Sequence, residues 1–139
     1  MVLIADQFNH MIRGIDLVSG DVSTVAGTGE PGHADKVGLK SQLHSPSALA
    51  MWGKNCYISD RDNNMIRCLD VDAGCVTTVA GNGFPGHRDG IANQAKFSSP
   101  IGLAVSMDTN QLFVADSDDH VIRCIDLSKG EVTTIAGSN

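Results

Sequence analysis

Three stretches of this 139-residue sequence align on one another without a gap, and that recurrence limits the fold more than any other feature. They are ADQFNHMIRGIDLVSGDVSTVAGTG from Ala5, SDRDNNMIRCLDVDAGCVTTVAGNG from Ser59 and ADSDDHVIRCIDLSKGEVTTIAGSN from Ala115. The first two starting points lie 54 positions apart and the next two 56. The two additional residues fall within Met107 to Asn110, where a turn between strands absorbs insertion. The linkers recur as well, since GTGEPGHADKVGLKSQLHSP from Gly27 matches GNGFPGHRDGIANQAKFSSP from Gly81. Self-similarity at a fixed spacing of this order marks solenoids, propellers and related arrays.

Each unit reads as four short strands. In the third unit they are predicted at 101–105, 111–115, 121–127 and 131–136, all rich in β-branched or aliphatic residues and bounded by Asp, Asn or Gly. Ser128-Lys129-Gly130 joins the last two, as Asp72-Ala73-Gly74 does in the second unit, a length that suits a hairpin with left-handed glycine. The chain holds 15 Gly and 14 Asp against only 2 Glu, a balance that favours turns over helices. A helical solenoid would need periodic helices, and a sandwich would not repeat its linker so closely. What remains is an all-β propeller of four-stranded antiparallel blades, each packed face to face on its neighbour. With both faces covered, a strand need not alternate, so Val114, Ile122 and Ile125 need not share one side.

The stretches ADQFNHMIR, SDRDNNMIR and ADSDDHVIR, followed by TVAG or TIAG and then by PGHxD, resemble NHL repeats. The resemblance covers essentially the whole chain and implies the blades of a six-bladed propeller, a module that mostly binds proteins or, when basic, RNA. Two departures stand out: Asn64 where the family favours His, and Gly14 where the other copies carry Cys68 and Cys124. Residues 1–29 supply three strands of one blade, 30–83 a linker and a second blade, and 84–139 a linker and a third. Such an incomplete ring is expected to belong to a longer propeller, because missing blades or self-association must cover its two end faces.

Charge and composition narrow the partners. The formal net charge of −6 and the lack of a basic run disfavour a phosphate backbone, and 4% aromatic residues leave little for base stacking. No apolar stretch reaches the length of a membrane helix. The four cysteines form no C-x-x-C pair, which speaks against structural zinc; small buried side chains are expected instead.

Asp6, Asp60 and Asp116 open the motif D-x-x-[ND]-[HN]-x-I-R, and Arg13, Arg67 and Arg123 close it. A pair present in every copy points to architecture, since one reaction needs one asymmetric site. The Asp is expected to accept backbone amides of the following turn, with the Arg pairing back onto it or onto a neighbouring blade. The aspartate-rich turns imitate the opening of a calcium loop, but Met65 and Val71, or Val121 and Leu127, stand where Gly and Glu are needed. The literal G-x-G-x-x-G runs from Gly27 and from Gly81 contain Pro and open no helix, so they read as turns.

The remaining candidates lie in the loops. His33 and His87 share one position in P-G-H-x-D and are expected to make loop hydrogen bonds. His44, before Ser45-Pro46 and close to the central channel, has no counterpart because Ser98 matches it. Phe84 answers Glu30, a tolerance expected of an exposed position that can anchor a partner. Asp62 and Asp118 sit in turns expected to gather with the linkers on one face. These features favour a non-catalytic scaffold for a protein or peptide, without a cofactor. The competing reading is part of a metal-dependent propeller hydrolase or lyase, with His44, or His33 and His87, feeding a central site.

Overall fold

The computed structural model describes residues 1–138, and these form three antiparallel sheets. The first contains β1 (Val2–Asp6), β2 (Met11–Ile15) and β3 (Val22–Ala26). The second contains β4 (Pro46–Trp52), β5 (Asn55–Asp60), β6 (Met65–Asp70) and β7 (Cys75–Ala80). In the third, β9 (Pro100–Ser106), β10 (Gln111–Asp116), β11 (Val121–Asp126) and β12 (Glu131–Gly137) lie side by side in chain order. A two-residue strand of the linker, β8 (Gly90–Ile91), pairs with the outer edge of β12. That strand is not apparent in the sequence, and Leu127 belongs to the hairpin turn rather than to β11. The architecture is that of propeller blades, and the ring is not closed.

The hairpin between the last two strands of each sheet turns through a left-handed glycine: Gly20, Gly74 and Gly130 have φ of 79°, 69° and 67°. Asp70 and Asp126 steady these turns, each accepting two backbone amides onto its Oδ1. Asp16 does the same in the first sheet. A β-bulge falls at the same place in all three sheets, at Ile12/Arg13, Ile66/Arg67 and Ile122/Arg123. Such a bulge re-aims the side chain beside it, here the repeated arginine.

The apolar core is divided between the two seams. Ile12 and Ala26 of the first sheet meet Leu43, Cys56, Ile58, Leu69 and Val76 in one seam. Tyr57, Ile66 and Ala80 meet Phe97, Leu112, Val114 and Ile125 in the other. Successive β5 residues feed opposite seams, Cys56 and Ile58 one and Tyr57 the other, so the central sheet is covered on both faces. In the third sheet Val114, Ile122 and Ile125 indeed do not share one side, but only one of its faces is covered. Val114 and Ile125 are buried, but Ile122 is 38% exposed on the opposite face, because only one side has a neighbour. Only β10 alternates regularly; along β11, Arg123, Cys124 and Ile125 are buried in succession.

All four cysteines are free; Cys56 and Cys124 are buried, and Cys68 and Cys75 half-buried. Burial pushes the Cys56 thiol up to about 12 and that of Cys68 to about 11. Gly14 stands where the sister blades carry Cys68 and Cys124. A Cβ there would lie 2.7 Å from the Met1 sulfur and 3.0 Å from Val25 Cγ2, both side-chain atoms. Among the described residues no helix is long and apolar enough to cross a membrane.

Candidate functional site

The repeated Asp and Arg meet at the end of the second strand of each blade. Arg67 donates to Asp60 at 2.7 Å and Arg123 to Asp116 at 2.9 Å, with all four side chains fully buried. In the first blade Arg13 and Asp6 stand 3.4 Å apart and about a third exposed. The amide that reaches the aspartate is not in the following turn, as expected, but in the preceding linker. His44 N–H donates to Asp60 and Ser98 N–H to Asp116, each at 2.7 Å. After Asp60 the chain coils into a single 3-10 turn, in which the Asn64 amide donates to the Arg61 carbonyl and the Asp62 amide to the His44 carbonyl of the linker. Burial pushes the Asp60 carboxyl up, and Asn63, the His44 amide and Arg67 pull against that rise. With its oxygens so engaged, Asp60 is a structural anchor and not a free ligand.

The guanidinium finds a second carboxylate that sequence reasoning passed over. Arg67 reaches Asp35 at 2.5 Å, and Arg123 reaches Asp89 at 2.8 Å. The same carboxylates accept the amide and hydroxyl of Thr78 and of Thr134. At Asp89, desolvation is outweighed by Thr134 and Arg123, which hold the carboxyl below its usual range. The signal was present in the recurrence of P-G-H-x-D, whose final residue carries this contact. Linker carbonyls complete the set: His33 and Gln42 accept from Arg67, and Arg88 and Lys96 from Arg123. Each linker is thus fastened to the blade it leads into.

A second device crosses the seams. The residue closing the turn after each of these strands is left-handed: His10, Asn64 and His120 have φ of 57°, 54° and 56°. His10 Nδ1 accepts the Ser45 amide, and Asn64 Oδ1 the Ser99 amide, both at 3.0 Å. Asn64 therefore does by its amide oxygen what His10 does by its ring, which makes sense of the departure at that position. Gly81 follows from the same close approach, since a Cβ there would meet the Asn64 carbonyl at 2.6 Å.

The loop candidates gather around these turns. The His44 ring packs edge-on to His10, centroids 5.3 Å apart, and its Nε2 lies 3.8 Å from Asp62. Asp118 accepts the hydroxyl of Ser99 at 2.8 Å. His87 Nδ1 lies 3.4 Å from Asp119 and its Nε2 3.2 Å from the Thr134 hydroxyl. His33 holds Arg67 through its backbone carbonyl. Phe84 stands 69% exposed. Among the described residues no group of three or more His, Cys, Asp and Glu side chains is arranged to hold a metal ion.

Residues 97–125, which include the third blade's Asp116, Arg123 and Ser99, match the family described as NHL repeat. NHL repeat-containing protein 2 of Bos taurus is 37% identical over 113 residues, covering 75% of this chain and 15% of that protein. The chain belongs to the NHL-repeat β-propeller family. This NHL-repeat chain is also 37% identical over 142 residues to Protein SUPPRESSOR OF QUENCHING 1, chloroplastic, of Arabidopsis thaliana, covering 95% of itself and 13% of that protein. It thus spans a small part of the length of the curated relatives it matches. An auxiliary nutrient binding protein from Bacteroides ovatus superposes with a TM-score of 0.74 at 25% identity, over 96% of the NHL-repeat chain and 35% of that protein. An NHL-repeat propeller supports a scaffold or binding role in general.

Proposed function

We propose that the chain is a non-catalytic scaffold that holds a protein or peptide through the linkers and turns on one face of its blades. The observation that carries this reading is a division of labour between repeated and unrepeated residues. The repeated polar groups, Asp60 with Arg67 and Asp116 with Arg123, are buried and spent on the fold. The side chains that differ between blades are the ones left accessible: His44 is 39% exposed and Phe84 69%. A rigid frame with variable, exposed loop residues is how binding surfaces are built.

The test is a selection of displayed peptides on the folded chain, followed by titration against the His44→Ser, Phe84→Glu double variant. Each substitution imports the residue of the sister blade, so folding is expected to be unchanged. Affinity is expected to fall at least about tenfold, the loss of one anchoring contact. Equal affinity for the double variant would overturn the assignment of the binding face.

A further inference from the structure

Three residues after the strand-end aspartate, two blades carry Asn and the third carries Asp119. Asn9 and Asn63 donate through Nδ2 to the strand-end carboxylates, Asp6 at 2.9 Å and Asp60 at 2.7 Å. Asn63 also donates to the Gly32 carbonyl at 2.7 Å, which fastens the linker to the turn. An ionised Asp119 has no proton to give. Its side chain is 14% exposed, and its Oδ2 is shielded from solvent without a hydrogen-bond partner among the described residues. It also stands beside Asp116: burial raises that carboxyl, and the Asp119 charge adds to the rise against the Ser98 amide and Arg123. Blade three thus has two carboxylates where blade two has a carboxylate and an amide.

The group that faces this excess charge is His87. Its Nδ1 lies 3.4 Å from Asp119 Oδ2, and its Nε2 lies 3.2 Å from the Thr134 hydroxyl, which donates to Asp89 at 2.9 Å. These three contacts need three protons. Imidazolium and a hydroxyl supply three, whereas neutral imidazole and a hydroxyl supply two. A neutral ring either turns a lone pair on the Asp119 carboxylate or takes the hydroxyl proton away from Asp89. The other charged neighbours are Asp116 on β10 and Arg123 on β11, paired with each other, and Arg88, whose carbonyl accepts from Arg123.

We propose that His87 is a proton-operated latch: as pH falls and the ring charges, it ties the linker carrying Phe84 to the turn carrying Asp118 and Asp119. The fastening is complete in acid and lost as pH rises through the range, about 5 to 8, in which imidazole changes charge. Blade two lacks the device, because Asn63 holds its linker with an amide that does not titrate. That the latch controls binding rests on the loop-face reading above; the latch itself does not.

The test compares the 139-residue chain at about pH 5.5 and about pH 8. Imidazole nitrogen shifts report the charge on His87. Protection of the Gly86 amide, which donates to the Phe97 carbonyl, reports the linker once corrected for intrinsic exchange. Protection is expected to be about threefold or more higher at the lower pH, the weight of one partly buried ion pair. Asp119→Asn imports the residue of blade two, so folding is expected to be unchanged and protection to become independent of pH. His87→Gln is expected to do the same. Equal protection at both pH values in the parent chain, or a pH dependence that survives Asp119→Asn, would overturn the latch. Neither readout uses a ligand, so a failed peptide selection would strike the loop face and leave the latch standing. A peptide that binds through Phe84 is expected to bind more tightly at the lower pH to the parent and equally at both to Asp119→Asn; equal affinity for the parent would overturn the control of binding.

Discussion

Arg67, Arg123 and Arg13 are one residue in sequence and two in energetics. The first two are fully buried, each between two carboxylates and two carbonyls, with only the Nε unpartnered. Removing such a cation strands a buried carboxylate, so Arg67→Ala or Arg123→Ala should cost about 3–5 kcal/mol in denaturant unfolding. Arg13→Ala should cost less than about 1 kcal/mol, because its pair with Asp6 is long and shared with solvent. Equal costs at all three positions would contradict the geometry. The architectural meaning of the Asp–Arg pair was legible because every copy carries it. Its second carboxylate was not, because Asp35 lies 32 residues from Arg67 and the histidine beside it draws the eye toward metal chemistry.

At the scale of elements, the seams are joined by apolar clusters, by an amide at one end and, between β4 and β9, by the Ser47 hydroxyl on the Pro100 and Ile101 carbonyls. The Ser99 amide finds Asn64 Oδ1 across the second seam. Asn64→Gly keeps the left-handed turn but deletes that acceptor, and should cost about 1–3 kcal/mol, the penalty of an orphaned amide. A variant as stable as the parent would show that water replaces the acceptor without loss. Strand positions could be read within a residue or so, since short aliphatic runs between Asp and Gly leave few alternatives. The linker strand Gly90–Ile91 could not. Two residues carry no periodic pattern, and pairing with Glu131 and Val132 is decided wholly by where the linker is tied down.

Across the whole molecule, exposure sorts with the seams. Ile125 is 1% exposed and points into the seam with blade two, whereas Ile122, three residues earlier, is 38% exposed on the free face. In the 139-residue chain, Ile125→Ala should cost about 2–5 kcal/mol in unfolding free energy. Ile122→Ala should stay near about 0.5 kcal/mol. The reverse order would mean that the free face is covered in solution. Stacked sheets could be inferred from recurrence alone, but which faces lie open depends on how many units are present, which no single unit encodes.

The ionic attachment of each linker to the blade ahead of it has a consequence for how such arrays vary in size. A module taken from the start of a linker to the end of its outer strand holds every partner in its own buried ionic cluster. Whole modules can then be inserted or removed, changing the circumference of the assembly, without leaving an unmatched charge inside any survivor.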